Sequence, residues 1–212
     1  VMTEIGNLKL NIIHNKTAIG YMNKIERSKL IVKRLAEYYP NPPIPLNHSN
    51  NYTLLVSVLL SAQSTDKKVN ELTPNLFSNG NRAEDIYNLG ERKIYGYIKQ
   101  LGLANTKAKN IYKLSEIIFK NYNNKVPNNI KELELLPGVG HKTASVVIAQ
   151  AFDMPSFPVD THIHRLAQRW KISSGKSVNK TEKDLKLLFP KKLWNKLHLQ
   201  MIYYGREHCS AR

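Results

Sequence analysis

The segment NYTLLVSVLL, residues 51–60, has no charged position, and only Asn51, Thr53 and Ser57 in it are polar. A helix of this composition offers no face to water, so it must be buried in its domain. The longer stretch from Asn50 to Phe77 reads as two helices separated near Gln63 to Asp66. Ser64, Thr65 or Asp66 is placed to cap the second.

The rest of the chain carries helical spacing in short pieces. Ile25, Leu30, Ile31, Leu35 and Tyr38 place a helix over 24–39, and PNPPIPL stops it and forces an extended linker. Further helices are expected over 82–87, 91–100, 105–122, 130–136 and 143–152. Three more follow from Asp160, over 179–188 and over 191–204, whereas residues 1–23 show no sustained period and read as an extension. No period-2 run competes, and no internal repeat implies a solenoid. The fold class is therefore all-α with short connections.

Charge narrows the partner. Thirty-two Lys and Arg stand against 16 Asp and Glu, a formal charge of +16 on 212 residues, which favours a polyanion. Charge alone does not separate DNA from RNA or an acidic membrane surface, and a basic enzyme with a merely solvated charged face is the plain alternative. The longest apolar runs fall short of the roughly 20 residues needed to cross a bilayer. With no signal-peptide pattern at the start, an intracellular protein is expected, cytoplasmic or nucleoid-associated, or in an organelle or nucleus if eukaryotic. A single cysteine, Cys209, excludes an intramolecular disulfide.

The segment LPGVGHKTASVV, residues 136–147, carries the chemistry. Gly138 and Gly140 allow a tight turn that brings backbone amides close to an anion, and the helix that follows adds its free N–H groups. Such a hairpin can equally be a packing element. Its continuation into His141 and Lys142, in a strongly basic chain, favours phosphate contact, which positions a nucleic acid without reading its sequence. Asp160 precedes THIHR and is a good helix N-cap. His162 and His164 stand two apart and do not share a helical face, so they are not read as a metal pair.

LPGVGHKTASVV resembles the helix-hairpin-helix of the endonuclease III family of DNA glycosylases. FPVDTHIHRLAQRW at 157–170, LLSAQSTD at 59–66, IKQLGLANTKAKNI at 98–111 and GREHC at 205–209 extend the likeness over roughly residues 25–209. The resemblance implies a bifunctional enzyme of base excision repair that removes oxidised pyrimidines from double-stranded damaged DNA and then cleaves the abasic strand. It puts the catalytic lysine on Lys142 and the catalytic aspartate on Asp160. A lysine whose proton affinity is lowered by neighbouring cations can attack as an amine and form an iminium. Local sequence alone favours a phosphate-binding role for Lys142 and a capping role for Asp160.

Three further groups follow from the same resemblance. Gln63 matches the residue that fills the space left by an everted nucleotide, and Leu103 the wedge between stacked bases. Lys107 and Lys109 are then expected on phosphates. His162 and Arg165 belong to the active-site helix, maintaining its geometry or touching the DNA backbone. The architecture implied is two helical lobes with a DNA-binding cleft. Residues 1–43 and 155–212 form the terminal lobe, and 44–154 the central domain with the hairpin. The protein is expected to act as a monomer.

Cys209 matches the first ligand of the family's 4Fe-4S cluster, and the remaining ligands are absent. No cofactor is therefore expected in this chain, unless a longer native C-terminus supplies the missing cysteines. An adenine mismatch glycosylase and a non-catalytic helix-hairpin-helix DNA-binding protein are the alternatives. Lys142 favours the lyase over the first; trapping a covalent complex would decide against the second.

Overall fold

The computed structural model describes residues 22–210, so the expected extension falls outside it except for Met22 and Asn23. Eleven α-helices and one 3₁₀ turn occur among the described residues. They divide into two compact units: Ile44–Ser156, and a second built from the described parts of Val1–Pro43 and Phe157–Arg212.

The first unit is organised around the helix with no polar face. It contains α2 (Asn51–Ser61), α3 (Asp66–Phe77), α4 (Ala83–Leu89), α5 (Glu91–Ile98), α6 (Ala104–Tyr122), α7 (Ile130–Glu134) and α8 (His141–Ala151). Every residue of α2 from Tyr52 to Leu60 is buried, and α8, α3 and α6 pack against it. Its buried hydroxyls all have partners: Thr53 Oγ1 donates to Asn50 O at 3.0 Å, Ser57 Oγ to Asn47 O at 3.3 Å, and the Tyr52 hydroxyl bonds Ser115 Oγ at 2.6 Å. Asn50 caps the helix by accepting from Thr53 N at 2.9 Å. Each fully buried Leu or Val contributes about 1.5–3 kcal/mol, so this one helix anchors much of the unit's core.

The second unit joins the two ends of the described chain. It contains α1 (Lys24–Tyr38), α9 (Thr161–Arg169), α10 (Val178–Leu188), the 3₁₀ turn Lys191–Leu193 and α11 (Trp194–His208). Gln200 Nε2 on α11 donates to Leu35 O at 3.1 Å and Tyr39 O at 2.8 Å. Leu35 O also accepts from Tyr39 N, and Tyr39 is the C-cap, so this side chain fastens α11 to the end of α1. Trp170 and Tyr204 sit 5.4 Å apart in the core of this unit.

Several helix boundaries differ from the sequence reading by a few residues, and two of the differences have a clear physical cause. Helix α8 begins at His141 rather than Thr143, because Gly140 is its extended N-cap at φ −88°, ψ 175°. Helix α11 runs to His208 rather than Tyr204. Gly205 lets it lie against α9, where an added Cβ would stand 2.8 Å from His162 Cβ. Among the described residues no helix is long and apolar enough to cross a membrane.

Burial pushes the pKa values of Tyr52, Tyr204 and Tyr39 well above the ordinary tyrosine value. For Tyr39, a 2.6 Å hydrogen bond to Glu207 adds to the effect. Above about pH 10 the unfolded chain releases phenolic protons that the folded chain retains. Stability is thus intact below that pH and falls as pH rises through it. Tyr52→Phe loses one bond, the 2.6 Å contact to Ser115 Oγ, while Ser115 keeps its bond to Ile111 O. It should cost about 1 kcal/mol at neutral pH and make the alkaline limb of a denaturant-monitored stability profile shallower.

Candidate active site and nucleic-acid interface

The hairpin between α7 and α8 uses its two glycines differently. Gly138 has φ +79°, and an added Cβ would lie 2.6 Å from Asn110 Nδ2. Both backbone conformation and space therefore require glycine there. Gly140 has an ordinary extended backbone and open space where its Cβ would be. The expectation that both glycines make the turn is corrected to Gly138 alone. Gly140 supplies no side-chain cap, so the first amides of α8 end the hairpin without a side-chain acceptor. Val139 is buried beneath the turn, and His141 Nδ1 pairs with Glu134 Oε1 at 2.7 Å across it.

Lys142 is the second residue of α8 and is exposed. Its ammonium makes no hydrogen bond or ion pair to any described residue. Asp160, in the other unit, caps α9 through a 2.8 Å bond from Ile163 N to Oδ1. Helix α9 is fastened at its other end by arginines. Arg165 donates through Nε and Nη2 to Cys209 O, and Nη2 also meets His162 Nδ1 at 3.1 Å. Arg165 thus ties α9 to the end of α11, while its bond to His162 lies within α9. His164 Nδ1 bonds Thr181 Oγ1 at 2.9 Å, a partner separate from that of His162.

Gln63 and Leu103 both adopt the left-handed conformation, at φ 54° and 59°. Such backbone is strained for residues with side chains, at about 1–3 kcal/mol each, and it holds both side chains at loop tips. Gln63 is exposed and Leu103 is 56% exposed. Lys109 is also exposed, on the first turns of α6.

Lys107 is a correction. Expected on phosphate, it is only 3% exposed, and its Nζ donates to Leu60 O and Ser64 Oγ, both at 2.9 Å. Burial lowers its pKa below the ordinary lysine value. An ammonium held inside the unit by two oxygens does not reach a DNA backbone. The signal was present in the sequence: Ala104, Lys107, Ala108, Ile111, Leu114, Ser115 and Ile118 make the buried stripe of α6, and Lys107 lies on it. Asn110, the support of Gly138, and Ser64 carried no such signal, because their partners come from distant segments.

The residues present do not make up an iron–sulfur site. Cys209 is buried, its Sγ accepts from Arg169 Nη1 at 2.9 Å, and it is the one cysteine of the 212 residues. No set of three metal-binding side chains lies among the described residues.

A tight glycine hairpin thus opens a helix with an exposed lysine, and an aspartate caps a helix of the other unit. The family model of the HhH-GPD superfamily base excision DNA repair proteins matches residues 56–191. Endonuclease III of Rickettsia felis is 44% identical over 186 residues, 86% of this chain and 87% of that protein. Endonuclease III of Escherichia coli K12 is 41% identical over 191 residues, 90% of each chain. The solved structure of a trapped endonuclease III–DNA covalent intermediate, an estranged-adenine complex, superimposes with a TM-score of 0.85 at 37% identity over 90% of both chains. This chain belongs to the endonuclease III family of base excision repair DNA glycosylase/lyases.

The two glycines should separate in a thermal unfolding experiment. Gly138→Ala combines a strained backbone with a clash and should cost about 1–3 kcal/mol. Gly140→Ser should leave Tm unchanged or raise it slightly, since serine is a better N-cap at an extended position.

Proposed function

We propose that this protein excises oxidised pyrimidines from double-stranded DNA, acting as a monomer, and cleaves the strand at the resulting abasic site through Lys142. The observation that carries the reading is the ammonium of Lys142: exposed, without a partner among the described residues, and one residue past the start of the hairpin helix. In its neutral form the amine attacks C1′ of the damaged nucleotide. The glycosidic bond breaks, and the base leaves with the bonding electrons and takes up a proton. The nitrogen then loses one of its two protons as the C1′–O4′ bond breaks; O4′ leaves with the bonding electrons and takes up a proton, leaving a protonated Schiff base between Nζ and C1′. The iminium acidifies C2′; loss of that proton forms the C2′–C3′ double bond and expels the 3′ phosphate. Water then hydrolyses the Schiff base and frees the lysine.

Asp160 serves as an electrostatic partner of the positive charge developing on the sugar, while one of its oxygens caps α9. Gln63 and Leu103 enter the duplex, Gln63 in the space of the everted nucleotide and Leu103 between stacked bases. Gly138, Gly140 and the first amides of α8 take a phosphate, with His141 beside them, and Lys109 takes another. The bonds of Arg165 and His162 within their own unit favour a role in holding α9 over a direct grip on DNA.

Borohydride trapping on abasic-site duplex tests the lyase: wild type should form a covalent complex and Lys142→Ala none. Asp160→Asn keeps the N-cap and should fold normally while losing at least about 10² in turnover; undiminished turnover would remove Asp160 from the chemistry. A duplex panel of thymine glycol, 5-hydroxycytosine and adenine opposite oxidised guanine ranks the substrates, and preference for the last would point to mismatch repair. Lys109→Ala should weaken binding to damaged and undamaged duplex alike.

A further inference from the structure

The buried lysine of α6 stands between the two loops that carry Gln63 and Leu103. Its side chain reaches one of them: Nζ donates to Leu60 O in the last turn of α2 and to Ser64 Oγ just after Gln63, both at 2.9 Å. Its backbone holds the other: Lys107 N donates to Leu103 O at 2.9 Å, closing the first turn of α6. The loops also lie near one another: a Cβ added to Gly102 would stand 3.6 Å from Gln63 O. Leu60 O is one of the carbonyls that a helix end leaves without a partner, and a cation there also opposes the negative end of the α2 dipole.

We propose that Lys107 is a positioning residue that locks the Gln63 loop and the Leu103 turn into one rigid pair, so that the two side chains enter DNA together. The proposal rests on the reading that Gln63 and Leu103 insert into the duplex. Both hold left-handed backbone that neither residue type favours. Such strain persists only where the surroundings fix it, and the ammonium of Lys107 supplies a bond on both sides of Gln63. Replacing it with an apolar chain leaves Leu60 O and Ser64 Oγ without that donor and frees the spacing of the two tips. A shift of ~1 Å in such a pair costs about 10²-fold in a reaction that depends on its placement.

The test compares Lys107→Met and the milder Ser64→Ala with Gln63→Ala and Leu103→Ala. The first readout is the fluorescence rise of 2-aminopurine placed opposite an abasic site in duplex DNA. The second is borohydride trapping on duplex relative to single-stranded abasic DNA, which needs no unstacking. Lys107→Met should lower the fluorescence rise and the duplex-to-single-strand ratio by about tenfold to a hundredfold. Ser64→Ala, which leaves the bond to Leu60 O in place, should move both in the same direction by less. Adding Gln63→Ala to Lys107→Met should cause little further loss, as expected of residues acting as a unit.

Equal loss on duplex and single-stranded DNA would mean a general structural defect and would overturn the proposal. So would full effects of Gln63→Ala and Leu103→Ala with none from Lys107→Met or Ser64→Ala, an outcome that leaves the insertion reading intact. If Gln63→Ala and Leu103→Ala themselves leave the fluorescence unchanged, the insertion reading falls and the proposal with it.

Discussion

Helix α2 has nowhere to put a solvent face, and the Ile44–Ser156 unit is arranged around that fact. Burying nine consecutive residues, Tyr52 to Leu60, obliges α3, α6 and α8 to close on the helix from different sides. The helix ends must then be satisfied within the fold as well. Asn50 does this at the start with a side-chain cap. At the other end the buried ammonium of Lys107 meets Leu60 O. Once the ends are tied, the segments leaving them have little freedom. One carries Gln63, and the helix that provides the tie has Leu103 as its N-cap. The helix α8 that opens with His141 and Lys142 packs on the same core helix. The hairpin helix and both loop tips are thus held by a single buried element.

Lys107 and Lys142 show how far position decides what a lysine does. Both lie in the first turns of helices, in a chain with twice as many basic as acidic residues. Lys107 falls on the apolar stripe of its helix, so its charge is enclosed and must be met by oxygen acceptors in place of water. Lys142 is the second residue of α8 and precedes its buried run Ala144–Ala149, so its side chain is exposed and its amine meets no described residue. The +16 charge says that phosphate is attracted. It does not say which ammonium groups are free to meet it, and that selection is made by helical phase.

Much of the helical order was readable because the apolar spacing is regular and Gly and Pro punctuate it. The core helix and the N-cap at Asp160 follow from residue type alone. The helix-hairpin-helix fold was legible through the wording of a few segments, and the resemblance that they carry is what pointed to the chemistry. Three features were not legible as read. Lys107 was taken by its charge instead of its phase. Gly140 was grouped with Gly138, although only Gly138 has the backbone and the neighbour, Asn110, that exclude a side chain. The end of α11 depends on Gly205 meeting His162 across two helices, a long-range fit that no local period encodes.

The arginines of α9 extend the same argument to Cys209. Arg165 spends two nitrogens on the Cys209 carbonyl, and Arg169 gives one to its sulfur and one bond to Ser210 O at 3.0 Å. Two cations converge on the segment where family members with a cluster place its first ligand. In this chain that segment is fastened by hydrogen bonds to α9, the helix whose first turn Asp160 caps. The helix that Asp160 opens is therefore anchored through Cys209, by its backbone carbonyl and by its sulfur as a weak acceptor. Charge-assisted bonds of this kind are about twice as strong as neutral ones. Two guanidinium groups thus hold α9 to the Cys209–Ser210 segment.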